Sequence, residues 1–154
     1  MAAKQSAGIL LFRRITGGLE VMLVHPGGPF WKNKDLGVWS IPKGEFHDNE
    51  DPLLAAKREF KEETGSDIEG NFVALDPVKL KSGKVVFAWA VEGDLDVDAL
   101  VCNTIRIEWP PRSGKYQLIP ECDRGEWFSL DMASKKINPG QANFLDQLNT
   151  LPVK

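Results

Sequence analysis

The sequence holds few of the residues that typify several common classes of protein. Cysteine occurs only as Cys102 and Cys122, in no Cys-x-x-Cys arrangement. Neither a disulfide framework nor a zinc knuckle is therefore indicated, and we expect two buried thiols in a reducing cytosol. The two histidines, His25 and His47, are too few and too scattered for a zinc site. The apolar run over residues 6–12 is short and is closed by two arginines, so we expect a soluble cytoplasmic protein with no membrane partner.

A large charge of one sign is also missing. The chain has 19 Lys and Arg residues against 22 Asp and Glu, a formal net charge of −3, which argues against binding of duplex nucleic acid through bulk positive charge. Residues 44–66 hold seven acidic and three basic residues, a net of −4, so the other 131 residues sum to +1. The composition, 42% hydrophobic and 27% charged over 154 residues, is ordinary for a globular protein and predicts one domain over residues 1–154.

Runs of β-forming residues predict a sheet flanked by helices. Residues 7–12 and 19–24 flank Thr16-Gly17-Gly18 and predict an antiparallel hairpin. The other predicted elements are strands at 72–75, 78–80, 85–91, 104–109 and 126–128, and helices at 130–137 and 140–148. Because strands outnumber helices and follow no regular βαβ repeat, we predict the α/β (α+β) class with a mixed sheet.

The clearest predicted helix spans residues 52–64. Asp51 suits its N-cap, Pro52 its first turn and Gly65 the position just past its end. Since each residue advances about 100° around a helix, three carboxylates fall on one arc beside the apolar stripe: Glu59, Glu62 and Glu63. Like charges at these spacings repel one another. The arc is either a solvated acidic face, eased by Arg58 and nearby lysines, or a ligand set for a hard divalent cation such as Mg²⁺.

The sequence around this helix resembles the Nudix box of the Nudix hydrolases. Gly44, five residues, Glu50 and seven residues precede Arg58-Glu59-Phe60-Lys61-Glu62-Glu63-Thr64-Gly65, so all seven fixed identities of that pattern occur at the right spacing. So many spaced identities are far more specific than a lone glycine motif. Ser66 departs from the pattern, which usually has an aliphatic residue there, and we expect Ile68 to supply the missing packing.

The resemblance implies an α/β/α sandwich, a Mg²⁺ or Mn²⁺ cofactor and hydrolysis of a phosphoanhydride bond. It implies that the helix carboxylates are the metal ligands and that the general base is Glu59 or a downstream glutamate. The implied catalytic residues are Glu59, Glu62 and Arg58, and the implied ligands are Glu59, Glu62, Glu63 and the carbonyl of Lys43 or Gly44. Glu50 and Arg58 would orient the loop and the helix, and Gly65 would end the helix.

A fourth carboxylate is expected from a later loop. Nudix proteins often recruit one a few residues before a strand that carries a tryptophan, here Trp127. Glu121 lies six residues before Trp127 and is our choice, because Glu126 is adjacent to it and suits an exposed strand position.

The residues before the box narrow the substrate class. Pro42-Lys43-Gly44 resembles the entry to the box in the dinucleoside-polyphosphate and diphosphoinositol branches of the family. Lys43 either adds a positive point charge that binds a long polyphosphate chain or is simply solvated. Two aromatic segments each have a cationic residue beside them. Such a segment either sandwiches a nucleobase of the substrate or only packs within the core or a loop. Their expected substrate contacts are Trp31 with Lys32 and Trp109 with Arg112, with Lys34 and Lys115 as further phosphate contacts.

The sequence therefore predicts a metal-dependent pyrophosphohydrolase that acts on a nucleoside diphosphate linked to another moiety, with diadenosine or other dinucleoside polyphosphates favoured. The alternatives are a nucleoside triphosphate or diphosphoinositol polyphosphate pyrophosphohydrolase, or a Nudix-fold module that binds a nucleotide without cleaving it. Such modules usually lose a box carboxylate, and this sequence retains them all. The expected partner is a small nucleotide or polyphosphate, and the expected state is a monomer or homodimer.

Overall fold

The computed structural model describes residues 4–151, so both ends of the predicted 1–154 domain lie outside the described residues. Over that range the chain forms nine β-strands and three α-helices. They are β1 Gln5–Ile15, β2 Gly18–Pro26, β3 Lys43–Phe46, α1 Pro52–Thr64, β4 Val73–Ala74, β5 Val78–Lys79, β6 Val85–Glu92, β7 Thr104–Glu108, β8 Tyr116–Pro120, β9 Cys122–Ser129, α2 Leu130–Lys136 and α3 Ala142–Thr150. None of the helices between residues 4 and 151 is long and apolar enough to cross a membrane.

Seven of the strands form one mixed sheet. Its main order is β4-β6-β1-β2-β9, with β3 paired to β1 and β5 paired to β6. The β1–β6 pair is parallel, whereas β1 pairs antiparallel with β2 and β3. Strands β7 and β8 form a separate antiparallel ribbon. The predicted mixed sheet and the predicted first hairpin are confirmed.

The sheet is covered on both faces, which explains the continuous apolar run in β1. Ile9 and Leu11 belong to the apolar cluster that includes Phe60 of α1, whereas Leu10 and Phe12 belong to the cluster on the opposite face with α2 and α3. A strand buried on both faces loses the alternating pattern of a half-exposed one. The arrangement is the predicted α/β/α sandwich.

Helix α1 has the predicted bounds and ends. The Asp51 carboxylate accepts a hydrogen bond from Leu54 N at 3.1 Å. Gly65 has φ +79°, a conformation that favours glycine, and its amide donates to Lys61 O at 2.7 Å. Ile68 packs against the α1 side of the core, as expected from the departure at Ser66.

The other elements differ from the prediction mainly where pairing extends or creates a strand. Strand β9 begins at Cys122 instead of residue 126 because its first residues pair with the end of β2. Strand β3 and strand β8 were not predicted. The first contains a glycine and two charged residues, and the second lies in a ribbon whose side chains are mostly exposed. The last helix starts at Ala142, after a 3₁₀ turn over Pro139–Gln141.

The expectation of two free thiols is wrong. Cys102 and Cys122 form a disulfide, with their Cα atoms 6.0 Å apart. Cys102 lies just before β7 and Cys122 just after β8, so the disulfide closes the base of the ribbon. The ribbon brings together two residues that are twenty positions apart in sequence.

Candidate active site

Helix α1 and strand β3 bring Glu59 against Gly44. An added Cβ at Gly44 would lie 2.0 Å from Oε2 of Glu59, so no other residue fits at position 44 unless this carboxylate moves. Glu59 is buried, although it is charged at neutral pH in ordinary surroundings. The first glycine of the box and its first helical glutamate therefore meet, as the resemblance implies.

Arg58 braces the carboxylates around it. Its Nε and Nη2 donate to Oε2 and Oε1 of Glu50 at 3.0 and 3.1 Å, a bidentate contact. Its Nη1 donates to Glu59 at 2.7 Å and to Glu62 at 3.4 Å. One guanidinium thus joins the loop before α1 to two helix carboxylates, and these contacts raise the pKa of Arg58.

The buried glutamates hold their protons unusually well. Burial, followed by the charges of Glu121 and Glu59, raises the pKa of Glu63 to about 9, against an ordinary value of 4.5. Burial, followed by the charge of Glu62, raises the pKa of Glu59 to about 6, and Arg58 opposes that rise. Glu121 is therefore within electrostatic reach of both Glu59 and Glu63, and Glu62 is within reach of Glu59.

Backbone hydrogen bonds place Glu121 beside the end of α1. The Glu121 amide donates to Asn103 O at 2.9 Å, and the Asn103 amide donates to Glu62 O at 2.9 Å. The Glu121 carbonyl in turn accepts from the amide of Gly27 at 3.0 Å. Asn103 and Gly27 contribute backbone atoms only, so their residue type gave no signal of this connection in the sequence.

The donor set fits a hard divalent cation. Carboxylate oxygens and a backbone carbonyl are the ligands that Mg²⁺ prefers, and a cation would relieve the repulsion that raises the pKa of Glu59 and Glu63. As the side chains of residues 4–151 are placed, no three acidic, histidine or cysteine groups form a ready ligand cluster. Arg58 holds Oε1 of Glu59 and Oε1 of Glu62, so each of these carboxylates has a second oxygen with which to ligate an ion.

Comparison with known proteins identifies the family. The model of the family described as NUDIX domain matches residues 3–148. The chain belongs to the Nudix family. Its enzyme class is that of the Nudix hydrolases, which cleave phosphoanhydride bonds, and the predicted family and enzyme class are confirmed. No curated protein matches the sequence significantly.

Solved structures share the Nudix fold at low sequence identity. A binary complex of Ap4A hydrolase from C. elegans has a TM-score of 0.63 and 22% identity, over 94% of this chain and 95% of that one. The NUDIX domain of NrtR from Shewanella oneidensis, in complex with ADP ribose, has a TM-score of 0.67 and 16% identity, over 97% and 88%. A mutT/nudix family protein from Listeria innocua gives 0.63 and 16%, over 97% and 94%.

In this Nudix chain Lys43 is partly buried beside the carboxylates. Burial, followed by the charge of Lys84, lowers the pKa of Lys43, whereas the nearby charges of Glu63 and Glu121 raise it. The sequence left open whether this lysine is merely solvated. The structure places its ammonium group within the electrostatic reach of the site.

The first aromatic segment of this Nudix chain is a compact loop over residues 27–37, which we call the aromatic loop. The Phe30 and Trp31 rings meet edge to face with centroids 4.7 Å apart. The ammonium of Lys34 lies 3.6 Å from the centroid of the Phe30 ring, whereas the predicted neighbour Lys32 is exposed. A nucleobase that stacks on Trp31 would therefore lie next to the Phe30 ring, against which the Lys34 ammonium is already placed.

The second aromatic segment lies at the outer end of the β7–β8 ribbon. Trp109 follows β7, and Arg112 lies at the tip with φ +62° and donates its amide to the Glu108 carboxylate at 3.0 Å. The ribbon's cation–π contact joins Arg106 to Tyr116 at 4.1 Å, a pair that the sequence prediction did not name. The aromatic loop meets the ribbon at Gly28, where an added Cβ would lie 2.5 Å from the side chain of Ile119, toward the opposite end of the ribbon from Trp109.

Proposed function

We propose that this Nudix hydrolase is a Mg²⁺- or Mn²⁺-dependent pyrophosphohydrolase of nucleoside diphosphates linked to another moiety, and that dinucleoside polyphosphates are its favoured substrates. The observation that carries the proposal is the approach of Glu59 to the backbone of Gly44, with Glu63 and Glu121 within electrostatic reach of Glu59. Burial and the neighbouring negative charges raise the pKa of Glu59 and of Glu63, and buried carboxylates of this kind are costly to the fold unless an ion uses them.

The chemistry divides among few residues. Glu59, Glu62, Glu63 and Glu121 would hold a divalent ion together with the carbonyl of Gly44, and Arg58 with Glu50 fixes the helix carboxylates. The ion, when bound, would supply neutralisation of the phosphate charge and a more acidic water. A carboxylate of the site would accept the proton of that attacking water. With a pKa of about 6, Glu59 is ionised at neutral pH yet basic enough for this role, and Glu121 is the alternative base.

Three features favour a dinucleoside polyphosphate. Lys43 lies where a point charge can meet a phosphate chain. The aromatic loop with Trp31 and the ribbon with Trp109 offer two stacking surfaces, which suits a substrate with two bases. The Nudix-fold neighbour from C. elegans is an Ap4A hydrolase that this chain matches over 94% of its length. We further propose Lys32 and Arg112 as phosphate contacts, and a cytoplasmic monomer or homodimer.

A substrate panel tests the proposal. Diadenosine tetraphosphate, nucleoside triphosphates, nucleotide sugars and a diphosphoinositol are incubated with the protein and Mg²⁺ or Mn²⁺, and products are separated by chromatography. We expect diadenosine tetraphosphate to be cleaved fastest. Glu62→Gln and Glu121→Gln should each lose about a hundredfold or more in kcat. Glu126→Gln is the matched control, because Glu126 is exposed on the same segment, and it should keep full activity.

Two results would overturn the proposal. Turnover that is undiminished in both Glu62→Gln and Glu121→Gln would remove the carboxylates from the chemistry. Tight nucleotide binding by calorimetry with no product from any substrate would instead identify a binding module.

A further inference from the structure

His25 is a completely buried polar residue outside the carboxylate site. It lies near the end of β2 with 0% of its surface exposed, and its ring meets the Trp39 ring edge to face with centroids 5.1 Å apart. A buried imidazole needs hydrogen-bond partners for both nitrogens, and here both have them.

Both partners of the ring are hydrogen-bond acceptors. Nδ1 lies 2.9 and 3.1 Å from the two carboxylate oxygens of Asp123, and Nε2 lies 2.6 Å from the carbonyl oxygen of Lys34. The ring therefore bridges the Asp123 carboxylate and the Lys34 carbonyl, because each of its nitrogens lies within hydrogen-bond distance of one of them. Arg124 also contacts Asp123 at 3.4 Å and Lys136 pairs with Asp35, so the surrounding charges are themselves paired.

The two acceptors belong to different parts of the site. Lys34 is the residue of the aromatic loop whose ammonium covers Phe30, and its amide donates to Trp31 O at 2.9 Å. Asp123 lies in β9, two residues after Glu121. The ring of His25 thus joins the aromatic loop to the strand that follows the fourth carboxylate.

We propose that His25 is a positioning residue for substrate binding, which through the contacts of its two ring nitrogens fixes the aromatic loop at a set distance from Glu121. The proposal rests on the proposed function, because it takes the aromatic loop as a base-binding surface. Loss of either contact frees the Lys34 carbonyl or the Asp123 carboxylate and lets the loop move, while α1 and its carboxylates stay in place. The consequence is weaker substrate binding with little change in the chemical step.

Steady-state kinetics separate this role from a catalytic one. His25→Phe keeps the ring contact with Trp39 but has no N–H, and Asp123→Asn keeps His25 while removing the charge of its partner. With diadenosine tetraphosphate and Mg²⁺ we expect KM to rise about tenfold in His25→Phe and less in Asp123→Asn, with kcat within about twofold of the wild type. His47→Phe, at an exposed position, is the matched control and should change neither constant. Unchanged KM in both test variants, or a fall in kcat with unchanged KM, would overturn the proposal.

A second set of measurements does not depend on turnover. Amide exchange of Trp31 and Lys34 should be about tenfold faster in His25→Phe or Asp123→Asn and unchanged in His47→Phe. Unchanged exchange in both His25→Phe and Asp123→Asn would overturn the proposal. If no substrate is cleaved, the proposed function fails, but these exchange rates still decide whether His25 fixes the loop.

Discussion

Arg58 and Glu59 are neighbours in α1, and the Arg58 guanidinium lies 2.7 Å from Oε1 of Glu59. Adjacent residues on a helix do not ordinarily face one another. The contact forms because the same guanidinium is held by Glu50 from the preceding loop while the Glu59 carboxylate turns toward Gly44. The position of the Glu59 carboxylate is therefore set jointly by a side chain and a backbone that approach from different elements.

Replacing Arg58 by lysine should weaken metal binding more than it weakens the fold. Lysine keeps the charge but cannot make the bidentate contact with Glu50. We expect the affinity for Mn²⁺ to fall about tenfold to a hundredfold, as measured by calorimetry. Arg14→Lys is the matched control, since Arg14 pairs with Glu92 across the β1–β6 pair, outside the box. Equal losses in the two variants would contradict the bracing role of Arg58.

The stability of the metal-free protein should fall as the pH rises. The folded pKa of Glu63, about 9, lies above its ordinary value of 4.5. The contribution of protonated Glu63 to the stability of the fold is therefore fully present below about pH 4.5 and is lost as the pH rises through about 9. Calorimetric melting between pH 5 and pH 9.5 should show a falling Tm that is flatter in Glu63→Gln. Glu69→Gln, at an exposed position, is the control and should show the same fall of Tm as the wild type. An equally steep fall of Tm in Glu63→Gln would contradict the raised pKa of Glu63.

Added Mg²⁺ should reverse this trend. An ion binds the ionised carboxylates, so its stabilising effect is larger where their protons are already lost. We expect the rise in Tm on adding Mg²⁺ to be greater at pH 9 than at pH 6 in the wild type, and to be small in Glu63→Gln at both pH values. A rise independent of pH would mean that Glu63 is not a ligand.

Gly44→Ala should inactivate the enzyme while leaving most of it folded. The added methyl group would overlap the Glu59 carboxylate and force it out of its place. We expect kcat to fall at least about tenfold and the free energy of unfolding to fall by about 1–3 kcal/mol. At Gly18 an added Cβ meets nothing within 4 Å, so Gly18→Ala is the control and should keep full activity. Normal kcat in Gly44→Ala would show that the Glu59 position tolerates this displacement.

Reduction of the Cys102–Cys122 disulfide should lower stability. The bond closes a loop of about twenty residues, which corresponds to about 3 kcal/mol in the chain-entropy account. Urea denaturation with and without dithiothreitol measures the difference in the free energy of unfolding. The double variant Cys102→Ser, Cys122→Ser should have the same free energy of unfolding with and without dithiothreitol. Two freely alkylated thiols in the unreduced protein, seen by mass spectrometry, would contradict the pairing.

Local signals account for what the sequence predicted best. The ends of α1 follow from Asp51, Pro52 and Gly65, each of which acts within one helical turn. The first hairpin follows from a glycine turn between two apolar runs. Strand β3 escaped prediction because its two charged residues and glycine have weak strand preference, and only pairing with β1 orders it. Strand β8 of the ribbon also escaped prediction, whereas its partner β7 was predicted at residues 104–109.

The sequence by itself determined the Nudix box, the helix that carries it and the acidic character of the site, because these depend on residue types at fixed short spacings. Only the tertiary structure decided which distant groups join them. It brought Glu121 within electrostatic reach of Glu63, joined the Lys34 carbonyl to the His25 ring and paired Cys102 with Cys122. Such contacts depend on how strands pair and how loops close between residues many positions apart, and no local pattern of residues specifies that geometry.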